Sequence, residues 1–480
     1  MKVAFIGAGS LGFTRKILAD ILTVPEFRDT TKITFTDINK RNLELVTKLC
    51  RRDMEANGVK SELTSTLDRR AALKDANYVV CVVRVGGLEG FEMDVDIPLR
   101  YGIDQCVGDT VCAGGIMYAQ RSIPVLREFC KDVSEVSAPG CVFLSHVNPM
   151  AMNTWACTSH GYGVDWIGLC HGVEGGHAQI ARVLGKKRQD IDIICAGINH
   201  LGWYVQVKAK GKEVRAKRLL RAFEKHPQLS RTEKVRIDLL RRFGCYCTES
   251  NGHCSEYLPW YRKRPREIKQ WIDTDRWIHG ETGGYLRVCR EKRDWFKTDF
   301  PGWLKAPPRE YVESKRTHEH TARIIEAMET GRIYRGHFNQ PNRGCISNLP
   351  DDCIIEAPGY VDRNGLSMPV VGDLPAGCAA VCNMNINTQR LAVQAAIAGD
   401  DELLRQAMMV DPLVGAVCNP PEIWQMVDEL LVAQARWLPQ YRKAVAAAKR
   451  RLAKGKKIKT RTGYRGAARL PVKRRRRKTA

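Results

Sequence analysis

The chain has 480 residues, 44% of them apolar, 18 cysteines and a formal charge of +24. That length and composition suit two or three domains with large packed cores. No run of about 18 apolar residues occurs, which excludes a helical membrane span from the reading. The charge is localised. The stretch from Arg442 to Ala480 holds 18 Lys or Arg and no acid, leaving about +6 of the +24 on the body, so the body lacks the charge excess of a nucleic-acid binder. The cysteines are scattered without a disulfide framework and read as reduced thiols of a cytoplasmic protein. Met1-Lys2-Val3 leads directly into a strand, with no room for a signal peptide.

The first predicted unit is strand, glycine turn, helix. The apolar run Val3–Ile6 is followed by Gly7-Ala8-Gly9-Ser10-Leu11-Gly12, then by a helical pattern from Thr14 to Leu22. Glycines Gly7, Gly9 and Gly12, with Ser10, let backbone approach a pyrophosphate seated on the helix N-terminus. The next strand-like run, Ile33–Thr36, ends in Asp37, whose carboxylate suits a ribose 2′-hydroxyl and repels a 2′-phosphate. The turn therefore reads as an NAD site. Three further strand-like runs end in polar or glycine-rich loops: Tyr78–Val83 before Arg84-Val85-Gly86-Gly87, Val142–Ser145 before His146-Val147-Asn148-Pro149, and Trp166–Leu169 before Cys170-His171-Gly172. Alternating strands and helices predict a doubly wound parallel sheet, Rossmann-like and of the lactate/malate dehydrogenase kind. Ligands of such sheets sit off the carboxyl ends of the strands, so these loops converge on one crevice.

From Ile191 the pattern changes. Ile191–Ala196 and Trp203–Lys208 read as strands around Gly197-Ile198-Asn199-His200. Glu213–Arg242 is charged and helix-prone, and Thr248–Trp260 mixes Glu249, His253 and Tyr257 with Trp260 in the manner of a sugar-binding segment. Phe338–Pro358 is rich in Gly, Asn and Pro; Thr388–Leu438 reads as helix. The division expected is an NAD-binding domain over 1–195, an α+β substrate domain over 196–441, and a disordered basic tail over 442–480. Nucleic-acid contact is a possible use of that tail.

Cys170 and His200 each follow a strand-like run that ends at the crevice, and a thiolate with an imidazole is half of a catalytic metal site. Asp109, in Gly108-Asp109-Thr110, suits either a mobile active-site loop or a helix cap. Asn148 before Pro149 suits either a ligand amide or a turn. Taken alone, the cofactor turn also fits a malate/lactate-type NAD-dependent dehydrogenase.

The segments GAGSLG, RVGG, GDTVCAGGI, HVNPMAMNTWA, GLCHGVEG, CAGINHLGW, TESNGHCSEYLPW and GCISNLPDD together resemble glycoside hydrolase family 4, in its α-galactosidase and α-galacturonidase branch. The likeness runs from residue 3 to about 440 and gives the basic tail no counterpart. It implies a cytoplasmic homodimer or homotetramer that hydrolyses a small α-galactoside or α-galacturonide with NAD+ and Mn2+ or another divalent metal. The implied route is oxidation at C3, deprotonation at C2, elimination, water addition and re-reduction, an exception to two-carboxylate glycosidase chemistry. By the same resemblance Cys170 and His200 hold the metal. Tyr257 is the base at C2 and Asp109 the acid for the leaving oxygen. Asn148, His171, Glu249 and His253 touch the sugar. Arg84 is expected at the cofactor phosphates, with a substrate carboxylate as the alternative.

Overall fold

The structure is a computed structural model that describes residues 1–273, 276–454, 458 and 460. Its first half follows from the alternation of apolar residues. In β1 (Lys2–Ile6), Val3 and Phe5 belong to one buried cluster and Ala4 and Ile6 to another. A strand buried on both faces needs helices on both sides, which is the doubly wound arrangement. β1 pairs in parallel with β2 (Lys32–Thr36) and β4 (Tyr78–Cys81); β3 (Glu62–Thr66), β5 (Val142–Ser145) and β6 (Asp165–Gly168) extend the parallel part in the order β3-β2-β1-β4-β5-β6. This is the Rossmann order.

The second half does not form a separate sheet. β7 (Ile191–Ile198), β8 (Leu201–Ala209), β9 (Lys212–Glu213), β10 (Tyr246–Cys247), β11 (Tyr334–Pro341), β12 (Ile354–Asp362) and β13 (Gly365–Ser367) are antiparallel additions to the same 13-stranded sheet. Its main path continues from β6 through β11, β12, β7 and β8 to β10. The expected boundary at 195/196 falls inside β7. The Gly/Asn/Pro-rich stretch Phe338–Pro358 contributes the second half of β11 and the start of β12, in the middle of the sheet. β6 meets β11 at one residue pair, Gly168 with Asn339, and β12 meets β7 at one pair, Glu356 with Gly197. Cys170 lies two residues beyond the first pair and His200 three beyond the second.

The basic tail starts later than expected. Arg442–Lys454 is a helix whose Ala444, Val445 and Ala448 are buried, and Arg451 makes two bonds of 2.8 Å to Asp428. Buried alanines and a bidentate ion pair attach this helix to the body, which high charge alone concealed. Residues 461–480, including the Lys473–Lys478 run, lie outside the described residues. Among the described residues no helix is long and apolar enough to cross a membrane.

The cleft loop after β4 is set by one buried ion pair. Arg121, on the helix Cys112–Val136, bonds Asp94 on the helix Gly87–Arg100 at 2.8 and 2.6 Å, and both residues are 1% exposed. Gln434 shares Asp94 and Arg121. The guanidinium is packed under Gly86 and Gly90, where an added Cβ would come within 2.8 and 3.2 Å of it. Gly86 of the RVGG loop and Gly90 of the helix that follows thus make room for the arginine beneath them. Asp94→Ala leaves Arg121 charged and buried without its partner. We expect a loss of about 3–5 kcal/mol, read as a lower denaturant midpoint, whereas a change within 0.5 kcal/mol would remove this pair from its structural role.

Candidate active site

A cavity of about 650 Å³ lies off the ends of β1, β4, β5 and β6, and its wall includes Ser10, Arg84, Asp109, Asn148, Cys170 and His200. The loops after β1, β4, β5 and β6 therefore open on one space, while Asp37, after β2, is not in its wall. At its nucleotide end Gly7 has φ of +85°, which an L side chain resists, and a Cβ there would meet Val83 at 2.8 Å. Gly9 is held by its neighbour: its N–H donates to Asp37 Oδ2 at 2.9 Å, and a Cβ would come within 2.8 Å of that oxygen. The helix Leu11–Leu22 begins after Ser10 without a side-chain cap, so its first-turn amides keep the partial positive charge that suits a phosphate. Ile38, next to Asp37, is fully exposed and offers an apolar face beside the carboxylate. These features fit a dinucleotide with a free ribose 2′-hydroxyl.

At the other end three side chains from three elements meet. Cys170 follows β6, His200 is the second residue of the two-residue turn between β7 and β8, and Glu249 follows β10. Their donor atoms lie within 4.8 Å of one another, with Cys170 Sγ 3.0 Å and Glu249 Oε1 3.4 Å from His200 Nε2. Glu249, expected to touch the sugar, is the third member of this group. His200 and Glu249 hold φ of +62° and +68°, conformations that cost a non-glycine residue roughly 1–2 kcal/mol each. Gly172 is required beside them, since a Cβ would lie 2.6 Å from Glu249 Oε1.

The charges around the group are unbalanced. Burial, then Glu356 and Glu249, push the Cys170 thiol well up. Burial drives His200 down to about 4, keeping its imidazole neutral, the form that ligates metal. Burial opposes the Glu249 charge, yet His200, His253 and His171 hold this carboxyl below its ordinary range. A thiol, a neutral imidazole and a carboxylate, all aimed at one point, fit a divalent cation.

His253, expected to touch the sugar, lies in the cavity wall with both ring nitrogens engaged by protein groups. It is 2% exposed, with Nε2 bonded to His200 Nδ1 at 2.7 Å and Nδ1 to Glu256. It orients His200 from behind, the usual device for a ligating imidazole. Asp109 is not placed as a proton donor. Its carboxylate faces three donors, Arg84 Nη2 at 2.6 Å, Thr110 Oγ1 at 2.9 Å and Asn148 Nδ2 at 3.2 Å, and so acts as an acceptor. Arg84 is correspondingly committed. It pairs with Asp109 and lies 4.6 Å over the Phe91 ring and 5.3 Å over Tyr118. This arrangement turns it toward Asp109 rather than toward a phosphate.

Tyr257 stands behind the metal-type group, 1% exposed, with no hydrogen-bond partner for its hydroxyl. Burial, followed by Glu249, Glu256, Cys170 and Glu356, pushes that hydroxyl well above its ordinary pKa. None of these neighbours supplies the positive charge a tyrosinate needs, whereas a cation held by Cys170, His200 and Glu249 would. His171 is at the rim, its side chain 63% exposed, with Nδ1 3.6 Å from Glu319. Sequence reading missed Glu319, Glu256 and Glu356. Glu256 lies inside the TESNGHCSEYLPW segment but is assigned no role by it, whereas Glu319 and Glu356 lie outside the motif segments, and only the folded neighbours reveal all three.

The family model described as family 4 glycosyl hydrolase matches residues 2–186, and the model of that family's C-terminal domain matches residues 195–414. An α-galactosidase of Rhizobium meliloti (strain 1021) is 55% identical over 472 residues, 98% of this chain and 96% of its own. That coverage extends into the basic stretch beyond residue 442, which therefore has a counterpart. An α-galactosidase of Bacillus subtilis (strain 168) is 34% identical, covering 92% of this chain and all of its own, and an α-galacturonidase of the same organism is 28% identical over 86% and 93%. The crystal structure of Bacillus subtilis lplD superposes with a TM-score of 0.76 at 26% identity, over 90% of this chain and 99% of that one. A Thermotoga maritima 6-phospho-β-glucosidase, solved with manganese, NAD+ and glucose-6-phosphate, shares the fold at 22% identity, with a TM-score of 0.74 over 91% and 99%. With both halves of the chain matched, this protein belongs to glycosyl hydrolase family 4.

Proposed function

We propose that this chain is an α-galactosidase that works with NAD+ and a divalent cation, Mn2+ in the first instance. The observation that carries this is that Ser10 of the glycine turn and the Cys170–His200–Glu249 group line one cavity. A dehydrogenase would use the first without needing the second. Family membership supports hydrolysis over net oxidation. The 55% identical relative supports a galactoside. So does Arg84, because a guanidinium already paired with Asp109 and stacked on aromatic rings is poorly placed to take a uronic carboxylate.

When bound, NAD+ supplies a reversible hydride acceptor for C3 of the sugar, and the divalent cation a Lewis acid that acidifies the proton at C2. The protein's residues do the rest. Cys170, His200 and Glu249 hold the cation, and His253 fixes the His200 ring so that Nε2 presents its lone pair. Tyr257, with an unpartnered Oη, takes the C2 proton. Asp109 orients the Asn148 amide toward the sugar hydroxyls, and His171 reaches them from the rim. Gly9 and Asp37 hold the ribose end of the dinucleotide.

Enzyme freed of nucleotide and assayed on p-nitrophenyl α-galactoside, α-glucoside and α-galacturonide with Mn2+ and a thiol reductant should hydrolyse the galactoside fastest. It should need only catalytic NAD+ and accumulate no NADH at 340 nm; stoichiometric NADH would mark a dehydrogenase instead. In D2O the galactose released should carry deuterium at C2, and an unlabelled C2 would rule out the elimination route. Cys170→Ser should abolish measurable Mn2+ binding by calorimetry. His253→Ala should weaken it roughly 10–100-fold, and unchanged affinity in both would refute the ligand assignment.

A further inference from the structure

The segment Glu319-His320-Thr321, where the helix His320–Thr330 begins, matches none of the motifs described above. Its three side chains nevertheless reach both cleft loops that follow β5 and β6. Thr321 Oγ1 lies 2.7 Å from His146 Nε2, and His320 Nε2 lies 2.9 Å from the carbonyl oxygen of Cys170. His320 is itself held by Tyr334 Oη at 2.7 Å on its other nitrogen. Glu319 sits between two imidazoles, 3.6 Å from His171 Nδ1 and 3.8 Å from His146 Nδ1. The helix behind them is anchored by Ala322, Ile324, Ile325 and Ala327 in the same core as β1. A rigid element therefore presents a carboxylate to a histidine whose side chain is otherwise 63% exposed.

An exposed imidazole at a cleft rim has several rotamers of similar energy, and ordering it costs conformational entropy on binding. We infer that Glu319 is a positioning residue for substrate binding, holding the His171 ring in the orientation that meets the sugar. This rests on the reading of His171 as a sugar contact. Glu319 acts through His171 and not on the reacting carbons, so its loss falls on KM more than on kcat.

The test is a double-mutant cycle on NAD+- and Mn2+-loaded enzyme with p-nitrophenyl α-galactoside, using Glu319→Gln, His171→Ala and the pair. Glu319→Gln should raise KM about tenfold with kcat within about twofold, leaving the calorimetric Mn2+ affinity and the melting temperature unchanged. The double variant should be no worse than His171→Ala alone, because one residue acts through the other. Glu319→Asp, which keeps the charge but withdraws it, should fall between the wild type and Glu319→Gln and serves if the latter does not fold. Multiplying effects in the double variant, or an unchanged KM in Glu319→Gln while His171→Ala is impaired, would overturn the role of Glu319 alone. An unchanged KM in His171→Ala would instead overturn the reading of His171, and this inference with it.

Discussion

The buried carboxylate of Glu256 is the constraint on which the site depends. One oxygen accepts from three consecutive backbone amides, those of Cys106, Val107 and Gly108, at 2.6, 2.9 and 3.2 Å. The other meets His253 Nδ1. A carboxylate taken out of water is tolerable only when donors replace its hydration, and here four do. The amides form the nest that precedes Asp109; the imidazole is the one that orients His200. A single anion therefore ties the loop carrying Asp109 to the group carrying the metal-type ligands, across 148 to 150 residues of sequence. With Glu256 accepting from His253 Nδ1–H, His253 Nε2 is left to accept from His200 Nδ1–H, and His200 Nε2 faces Cys170 and Glu249 with its lone pair.

The same economy appears in the sheet. Gly168, Asn339, Glu356 and Gly197 are successive partners across four strands. The row includes glycine at both outer positions because side chains do not fit: a Cβ on Gly168 would come within 2.9 Å of Asn339, and one on Gly197 within 2.5 Å of a backbone oxygen. Asn339 Nδ2 bonds Glu356 Oε1 at 3.2 Å between them. The parallel Rossmann part and the antiparallel extension are thus joined by polar side chains and missing ones, immediately before Cys170 on one side and His200 on the other. The two ligands arrive together because the joint between the sheet's halves lies beneath them.

This joint explains what could and could not be read from the sequence. The parallel half was legible because its strands are short apolar runs, each ending in glycine or a polar loop, and Val3–Ile6, Tyr78–Cys81 and Val142–Ser145 need no other signal. β11 and β12 were not. They carry Gly336, Asn339, Pro358 and Gly359 in central positions, residues that normally argue against an interior strand. Polar burial, not apolar alternation, pays for them. Cys170 and His200 were legible as a pair because both follow strand-like runs. Glu249 could be seen but not assigned, since its place with them depends on how β10 lies against β8. His253 was visible for the same reason, and its bonds to His200 and Glu256 were not, because a histidine free in the wall and one bonded to a ligand look alike in sequence. Glu319 had no sequence signal. The helix Arg442–Lys454 was hidden by its own charge, although the spacing of Ala444, Val445 and Ala448 is that of a buried stripe.

The fit between Tyr257 and the Cys170 group turns on sign. Left to its protein neighbours, Tyr257 is a poor base: Glu249, Glu256, Cys170 and Glu356 all work against ionising it, after burial has already done so. Cys170 is opposed by Glu356 and Glu249 in the same way. The two groups therefore share one electrostatic defect, and one positive charge at the meeting point of Cys170, His200 and Glu249 corrects both. Tyr204 satisfies its hydroxyl by donating to the Val173 carbonyl, and Tyr441 by bonding Gln120. Tyr257 and Tyr311 both carry a buried hydroxyl without a hydrogen-bond partner, but Tyr257 has Glu249 and Cys170 among the groups that oppose its ionisation. Under the proposed route, a cation held by Cys170, His200 and Glu249 would offset the negative neighbours of Tyr257 and favour its tyrosinate.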